Sequence, residues 1–460
     1  MKRLALILSL LAAGGCTVGP NYKRPEMPSP EQFRFVTEPQ QAVTLADAPW
    51  FDVFKDMALE GLVREALTNN LDLKAAMARV EAARARAGIA KSYYYPMVDG
   101  ALGYSARAAS DTGSDDNASQ SANYGFRLSW EIDLFGKLRR QNESALALSL
   151  AAEQARRGVL VTLIGDVASS YFLLRELDLS LDIARKTLAL NDETVTYFRN
   201  RLDGGVSNRL ELDRIVALRA DTATTIPELE RQMAQVENLI SFLVGRPPSP
   251  IERSILMMDE TLPPAIPPGL PTSLLERRPD VAVAEQLLVS ANANIGAAKA
   301  LFFPTIGLTS FLGGTNGDLE SYLGTGGVWT AGASLLQPIF QGGRLRRNVE
   351  VQQAQFDIAL AEYQKAVLNG YREVANALVT IQKLAEARVQ QEAGVVALQD
   401  ASELARARYD SGLASYIEIL TADQDLFTRQ LRLAQTRGAE LRARAELYRA
   451  LGGGWQQPQP

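Results

Sequence analysis

Two stretches of this 460-residue chain contain no proline: residues 97–226, between Pro96 and Pro227, and residues 339–457, between Pro338 and Pro458. Both are rich in Ala, Leu, Glu, Gln and Arg, which are strong helix formers. Apolar residues recur at three-four spacing, as Ile164, Val167, Tyr171, Leu174, Leu181, Ala184 and Leu188, and again as Val367, Tyr371, Val374, Leu378 and Ile381. That repeat points to long helices packed in coiled-coil fashion. Taken from about Lys137 to Arg201 and from Arg344 to Tyr409, each helix is roughly 100 Å long at about 1.5 Å per residue. A single compact globule cannot hold rods of that length. Each rod ends at a glycine turn, "RLDGGVSN" or "RYDSGLAS", which folds the chain into a helical hairpin.

The two hairpins are copies of one another. A shift of 207 residues carries Arg199, Asp203, Gly205, Glu211 and Gly245 onto Arg406, Asp410, Gly412, Glu418 and Gly452. Upstream, a shift of 208 carries "AKSYYYP" (90–96) onto "AKALFFP" (298–304) and Asp72 onto Asp280, and a shift of 205 carries Phe135 onto Phe340. The chain therefore reads as a tandem duplication, with repeats at 50–245 and 274–452 joined by a proline-rich linker at 246–273. Each repeat has the order helix, strand, strand, long helix, hairpin turn, helix. Residues 453–460 form a C-terminal tail.

The expected strands are about 98–107 and 123–134 in the first repeat, and about 305–313 and 326–338 in the second. "YGFRLSWEIDLFGK" (124–137) alternates strictly: Tyr124, Phe126, Leu128, Trp130, Ile132 and Leu134 on one face, Arg127, Ser129, Glu131 and Asp133 on the other. Strands of about ten residues suit a tilted membrane crossing, with Phe126 and Trp130 toward lipid and the charged face toward water. The segments between them, "SDTGSDDNASQSA" and "GTNGDLESYLG", are polar and are expected as loops. Four strands cannot close a barrel in lipid, because open edges leave backbone groups unsatisfied. Several chains are required, and three would supply twelve strands.

"MKRLALILSLLAAGGC" has the layout of a secretory signal peptide over residues 1–15, with Lys2 and Arg3 ahead of an apolar run. The only cysteine, Cys16, follows small residues and resembles the acylation site of a bacterial lipoprotein lipobox; Ala13 stands where leucine is usual. Acylation there would hold the chain at a membrane, and Thr17 after the cysteine favours the outer one. Residues 16–49 read as an extended, proline-rich arm. With no histidine, one cysteine and a net charge of −5, the chain lacks the usual general base and metal ligands, and it has no basic cluster for nucleic acid. No enzyme activity, cofactor or metal site is expected.

Along nearly its whole length the sequence resembles the TolC-like outer-membrane efflux proteins, in their OprM/NodT lipoprotein branch. "CTVGPNYKRPE", "WEIDLFGKLR" (130–139), "RRPDVAVAEQLL" (277–288), "AKALFFP", "QPIFQGGRLR" (337–346) and "LYRALGGGW" (447–455) carry the resemblance, in the family's order. It implies a mixed, mainly α homotrimer: a twelve-stranded β-barrel in outer-membrane lipid, four strands per chain, continuous with a long periplasmic α-helical barrel. It also implies an exit duct that conducts drugs or other small molecules passively after docking to a periplasmic adaptor and an inner-membrane RND-type transporter. No nucleotide-binding motif is present. Two alternatives stay open: a duct for secreted proteins, or a periplasmic coiled-coil lipoprotein without a pore.

The resemblance places a periplasmic gate near the second hairpin. Aligned on Gly412, Tyr409 matches the gate tyrosine and Glu418 one acidic position, while Thr421 stands where a second aspartate is usual. By helical spacing 418, 421 and 425 share a face and 423 points elsewhere. Glu418 and Asp425 are therefore the first choices for the lumen, with Asp423 second and Arg406 and Arg408 nearby. The hairpin tips, with Gly204, Gly205, Val206 and Ser207 in one and Ser411, Gly412 and Leu413 in the other, are the expected adaptor contacts.

Overall fold

The computed structural model describes residues 17–30, 33–35, 56–108, 118–253, 277–316 and 327–453. Cys16, the signal segment, most of the linker and nearly all of the C-terminal tail lie outside the described residues. The element order is α1 (Met57–Asn69), α2 (Leu71–Ser92), β1 (Met97–Ala108), β2 (Ala118–Ile132), α3 (Lys137–Asp203), α4 (Arg209–Leu243), α5 (Pro279–Ala300), β3 (Thr305–Asn316), β4 (Gly327–Leu336), α6 (Arg344–Asp410) and α7 (Tyr416–Ala450). Helices α3 and α6 are 67 residues each, and α4 and α7 are 35 each. The chain divides into two compact units, one built from residues 1–26, 78–153 and 283–365, the other from 27–77, 154–282 and 366–460.

The first unit holds an antiparallel sheet in the order β1-β2-β3-β4. Its register places Phe126 opposite Gly100 and Leu312, and Leu312 opposite Trp329. One face therefore gathers Val98, Leu102, Tyr104, Phe126, Trp130, Leu312, Trp329 and Leu335, all of them exposed. The opposite face carries Asp99, Ser105, Asn123, Arg127, Ser129, Gly307, Thr309, Thr330 and Ser334, with Phe311 among them and the apolar Met97 and Leu336 only at the strand ends next to the helices. A sheet that hid one face in a protein core would not leave its apolar side open and its polar side rich in Ser, Thr and Gly.

Four strand ends differ from the sequence pattern. Residues 118–122, expected as loop, belong to β2 and pair with 104–108. Their small polar residues give no apolar alternation, so the strand is set there by backbone pairing rather than by side-chain pattern. Strand β3 likewise runs on to Asn316. Strand β2 stops at Ile132, so Asp133 lies beyond the charged strand face; its carboxylate accepts the Arg139 backbone N–H (2.9 Å) and ties the strand end to the start of α3. Strand β4 stops at Leu336, two residues before Pro338, which has no N–H to give a ladder.

The second unit is built on the three-four stripe of α3. Ile164, Val167, Tyr171, Leu174, Leu181 and Ala184 are buried and Leu188 is half-buried. Most of them pack against α1, α4, α6 and α7 residues such as Leu59, Val63, Ile240, Val374, Leu441 and Leu447. An apolar window of α3 is long enough to cross a membrane, but 61% of it is buried inside the protein, which is the state of a core helix. Between α6 and α7, Glu440 is completely buried and accepts from Arg388 Nε (3.0 Å) and Arg444 Nη2 (2.8 Å). Two guanidinium groups on one carboxylate offset the loss of its hydration.

The duplication reaches individual hydrogen bonds. Asn70 Nδ2 donates to the Leu243 carbonyl at the end of α4 (2.9 Å), and Arg278 Nη1 donates to the Ala450 carbonyl at the end of α7 (2.7 Å). Arg278 and Ala450 stand at the positions that offsets of 208 and 207 assign to Asn70 and Leu243. Arg278 also pairs with Asp280 and Glu373. Arg278→Ala is expected to cost about 2–3 kcal/mol, the worth of charge-assisted hydrogen bonds made by a buried guanidinium. A lowered denaturation midpoint would bear this out; an unchanged one would show that the end of α7 is held by other contacts.

Candidate functional site

The tips of the two hairpins share one backbone design. In the first, the Gly205 N–H donates to Leu202 O (3.0 Å) and the Val206 N–H to Arg201 O (2.9 Å). In the second, Gly412 N–H donates to Tyr409 O (2.9 Å) and Leu413 N–H to Arg408 O (2.8 Å). This is a Schellman closure, and its left-handed residues are Gly205 (φ 73°) and Gly412 (φ 72°), where a Cβ would be strained. The residue after such a glycine usually packs on the residue five positions back. Here that partner is an arginine in both copies, and Val206 and Leu413 are left 65% and 74% exposed. Leu210 and Ile417, four residues on, are exposed as well. Each tip thus presents an apolar i,i+4 pair above a turn, with Gly204, Gly205, Ser411 and Gly412 exposed and Ser207 donating to Glu211 (2.6 Å).

Behind the tips the two hairpins are locked together. Phe198 of α3 is 1% exposed and lies 4.2 Å from the Tyr416 ring and 5.9 Å from the Tyr409 ring, centroid to centroid. Val195, Leu212, Ile215, Ala405 and Ile419 complete the cluster. The Arg201 guanidinium lies 5.5 Å from both the Tyr197 and the Tyr409 rings and donates to Tyr197 Oη (2.8 Å). It therefore forms a cation–π bridge from the first hairpin to the second. Burial pushes the Tyr409 and Tyr416 hydroxyls above their ordinary range, and the Asp423 carboxylate adds to the shift at Tyr416. Both stay protonated at neutral pH.

The acidic residues of α7 separate into two groups. Asp423 is engaged within the chain: Arg406 Nη2 lies 2.8 Å away and Ser402 Oγ donates to it at 2.5 Å. Glu418, Thr421 and Asp425 are exposed on the other side, Glu418 facing Arg408 at 3.6 Å. Arg406, Asp423 and Ser402 also line a cavity of about 730 Å³ between α3, α6 and α7, with Asp182, Lys186 and Asn191 on its α3 wall. Sequence reasoning missed Phe198, Arg201, Ser402 and Tyr416. The Tyr197–Arg201 pair at i,i+4 was the one local signal, but nothing in the chain order says that it meets Tyr409. No group of metal-binding side chains occurs among the described residues.

The profile of the family described as "Outer membrane efflux protein" matches the chain twice, over residues 62–246 and 270–453. The "Cation efflux system protein CusC" of Escherichia coli O6:H1 is 33% identical over 452 residues, 97% of each chain. The "Solvent efflux pump outer membrane protein SrpC" of Pseudomonas putida is also 33% identical, over 98% of this chain and 97% of its own. Among solved structures, the outer-membrane channel OprN superposes with a TM-score of 0.89 at 31% identity, covering 96% of this chain and 100% of that one.

Truncating Phe198 to alanine is expected to cost about 3–5 kcal/mol and to release the second hairpin. Backbone hydrogen exchange in residues 405–420 should accelerate. Unchanged exchange there would mean that the hairpins are not coupled through this cluster.

Proposed function

We propose that this chain, which belongs to the outer membrane efflux protein family, is the outer-membrane exit duct of a tripartite efflux pump, working as a homotrimer. One observation carries the reading: among the described residues the sheet is apolar and exposed on one face, mainly polar on the other, and ends in the edge strands β1 and β4, each with one side left without a partner strand. Hydrocarbon accepts the apolar face but not the free edges. Three copies close those edges into a barrel of twelve strands, four from each chain, with Arg127 and its neighbours facing a water-filled lumen. Acylation of Cys16 would tether the arm to the same membrane.

The duct is passive in this reading, and energy comes from an inner-membrane transporter. The apolar pairs Val206/Leu210 and Leu413/Ile417 suit docking by a periplasmic adaptor with a complementary apolar tip. Exposed Glu418 and Asp425 are the proposed lumen-facing gate charges, brought together by three-fold symmetry, with Thr421 between them. Asp423 holds α7 to α6 through Arg406, and Tyr409 ties the second hairpin to the first through Arg201 and Phe198. The cargo is a small molecule; relatives of equal identity are named for cations in one case and solvents in the other, so likeness selects neither.

The reading is tested by the drug-susceptibility profile of a deletion strain together with co-purification of an adaptor. Lost tolerance to at least one compound, restored by the gene, is expected; no change in any compound and no adaptor recovered would overturn the duct. Phe126→Arg, at a cost of about 2–4 kcal/mol per chain in mid-bilayer, should abolish outer-membrane trimers, whereas Thr309→Arg on the polar face should leave them. Equal effects of the two would contradict the assignment of faces. Val206→Asp combined with Leu413→Asp should leave trimers intact while efflux and adaptor recovery fall together.

A further inference from the structure

The duplication makes one contact inside the chain whose counterpart is left open. Phe135 follows β2 and stacks on Phe303, which precedes β3, at a centroid distance of 4.7 Å and an interplanar angle of 22°. Phe135 belongs to the first repeat and Phe303 to the second, so this is a contact between repeats. It sits beside the last β2–β3 backbone pair, Ile132 with Ile306. The offsets of 205 and 208 assign these two positions to Phe340 and Tyr95. Phe340 is 87% exposed and Tyr95 is 61% exposed. Phe340 follows the outer strand β4, and Tyr95 precedes the outer strand β1.

We propose that Phe340 of one copy stacks on Tyr95 of the next, so that the junction between copies repeats the junction between repeats. The proposal rests on the trimeric reading above and adds a residue-level map of its interface. Three features favour a second copy over lipid as the occupant. First, the side-chain parity is correct. The apolar face uses odd positions in β4 (Trp329, Leu335) and even ones in β1 (Val98, Leu102, Tyr104), so joining β4 to a neighbouring β1 with these in one face continues both faces. Second, the approach is equally constrained on both sides, because Pro96 follows Tyr95 as Pro304 follows Phe303. Third, Phe340 has reach: α6 starts at Arg344, four residues on, whereas α3 starts at Lys137, two residues after Phe135. Tyrosine in place of phenylalanine also fits a ring at the boundary of hydrocarbon and water, where its hydroxyl stays wet.

The test uses the full-length protein in outer membranes, carrying Tyr95→Cys, Phe340→Cys or both. Cys16 is the only native cysteine; its contribution, if its thiol is free, appears in the single variants. A short bis-maleimide is the probe, because stacked rings do not require the Cα separation below about 7 Å that a disulfide needs. Covalent dimers and trimers from the double variant alone are the expected result. A double variant that runs as a trimer on native gels but does not cross-link would overturn the stacking and leave the duct standing. Wild-type protein that runs as a monomer would remove both. As a second arm, Phe340→Glu should lose trimers, and Tyr95→Arg in the same chain should restore them. Absence of that restoration would also count against the contact.

Discussion

Backbone hydrogen bonding in a medium without water is the constraint on which this protein depends. A strand in hydrocarbon has no solvent for its N–H and C=O groups, so each must find another strand. Among the described residues the chain supplies four strands and leaves two edges, β1 and β4. An outer-membrane efflux channel built from such a sheet has to complete its ladder with other copies. The duplication serves the same end: β2 already meets β3 across the boundary between repeats, and the closure between copies only has to reproduce that arrangement. The exposed apolar face, a hazard in water, becomes the surface that fits the surrounding lipid.

The helical part follows a different rule. Its helices satisfy their own backbone groups, so what must be arranged is side-chain packing along rods of 67 residues. Small and medium apolar residues at three-four spacing do this along α3. Charged residues enter the packing only in groups that neutralise each other, as around Glu440. At the hairpin tips the packing thins to a small cluster in which Phe198, Tyr409, Tyr416 and Arg201 join Val195, Leu212, Ile215, Ala405 and Ile419. A small aromatic and cation–π cluster holds less apolar surface than the core built around Val167 and Tyr171. The tips are thus the place where the two hairpins can separate at least cost.

Most of the architecture was legible in the sequence because it is periodic. Long proline-free amphipathic stretches have one structural meaning, and strict alternation in 124–134 has one more. The extra strand residues at 118–122 and 314–316 were not legible, since "ASQSA" and "GTN" show no apolar alternation and are ordered by pairing with a partner strand. The candidate gate was only half legible. Helical spacing separated 418, 421 and 425 from 423, and the structure leaves the first three exposed. Arg406 lies 17 positions from Asp423, and the first-hairpin partner of Tyr409, Arg201, lies more than 200 away; no periodicity in one chain records which hairpin faces which.

The most direct measurement of the central claim is the current through purified trimers inserted in a planar lipid bilayer. A water-filled duct predicts discrete conductance steps, and the gate proposed above predicts larger ones when Asp423→Ala removes the pair with Arg406. Trimers that insert but pass no current, in the wild type and in that variant alike, would contradict it.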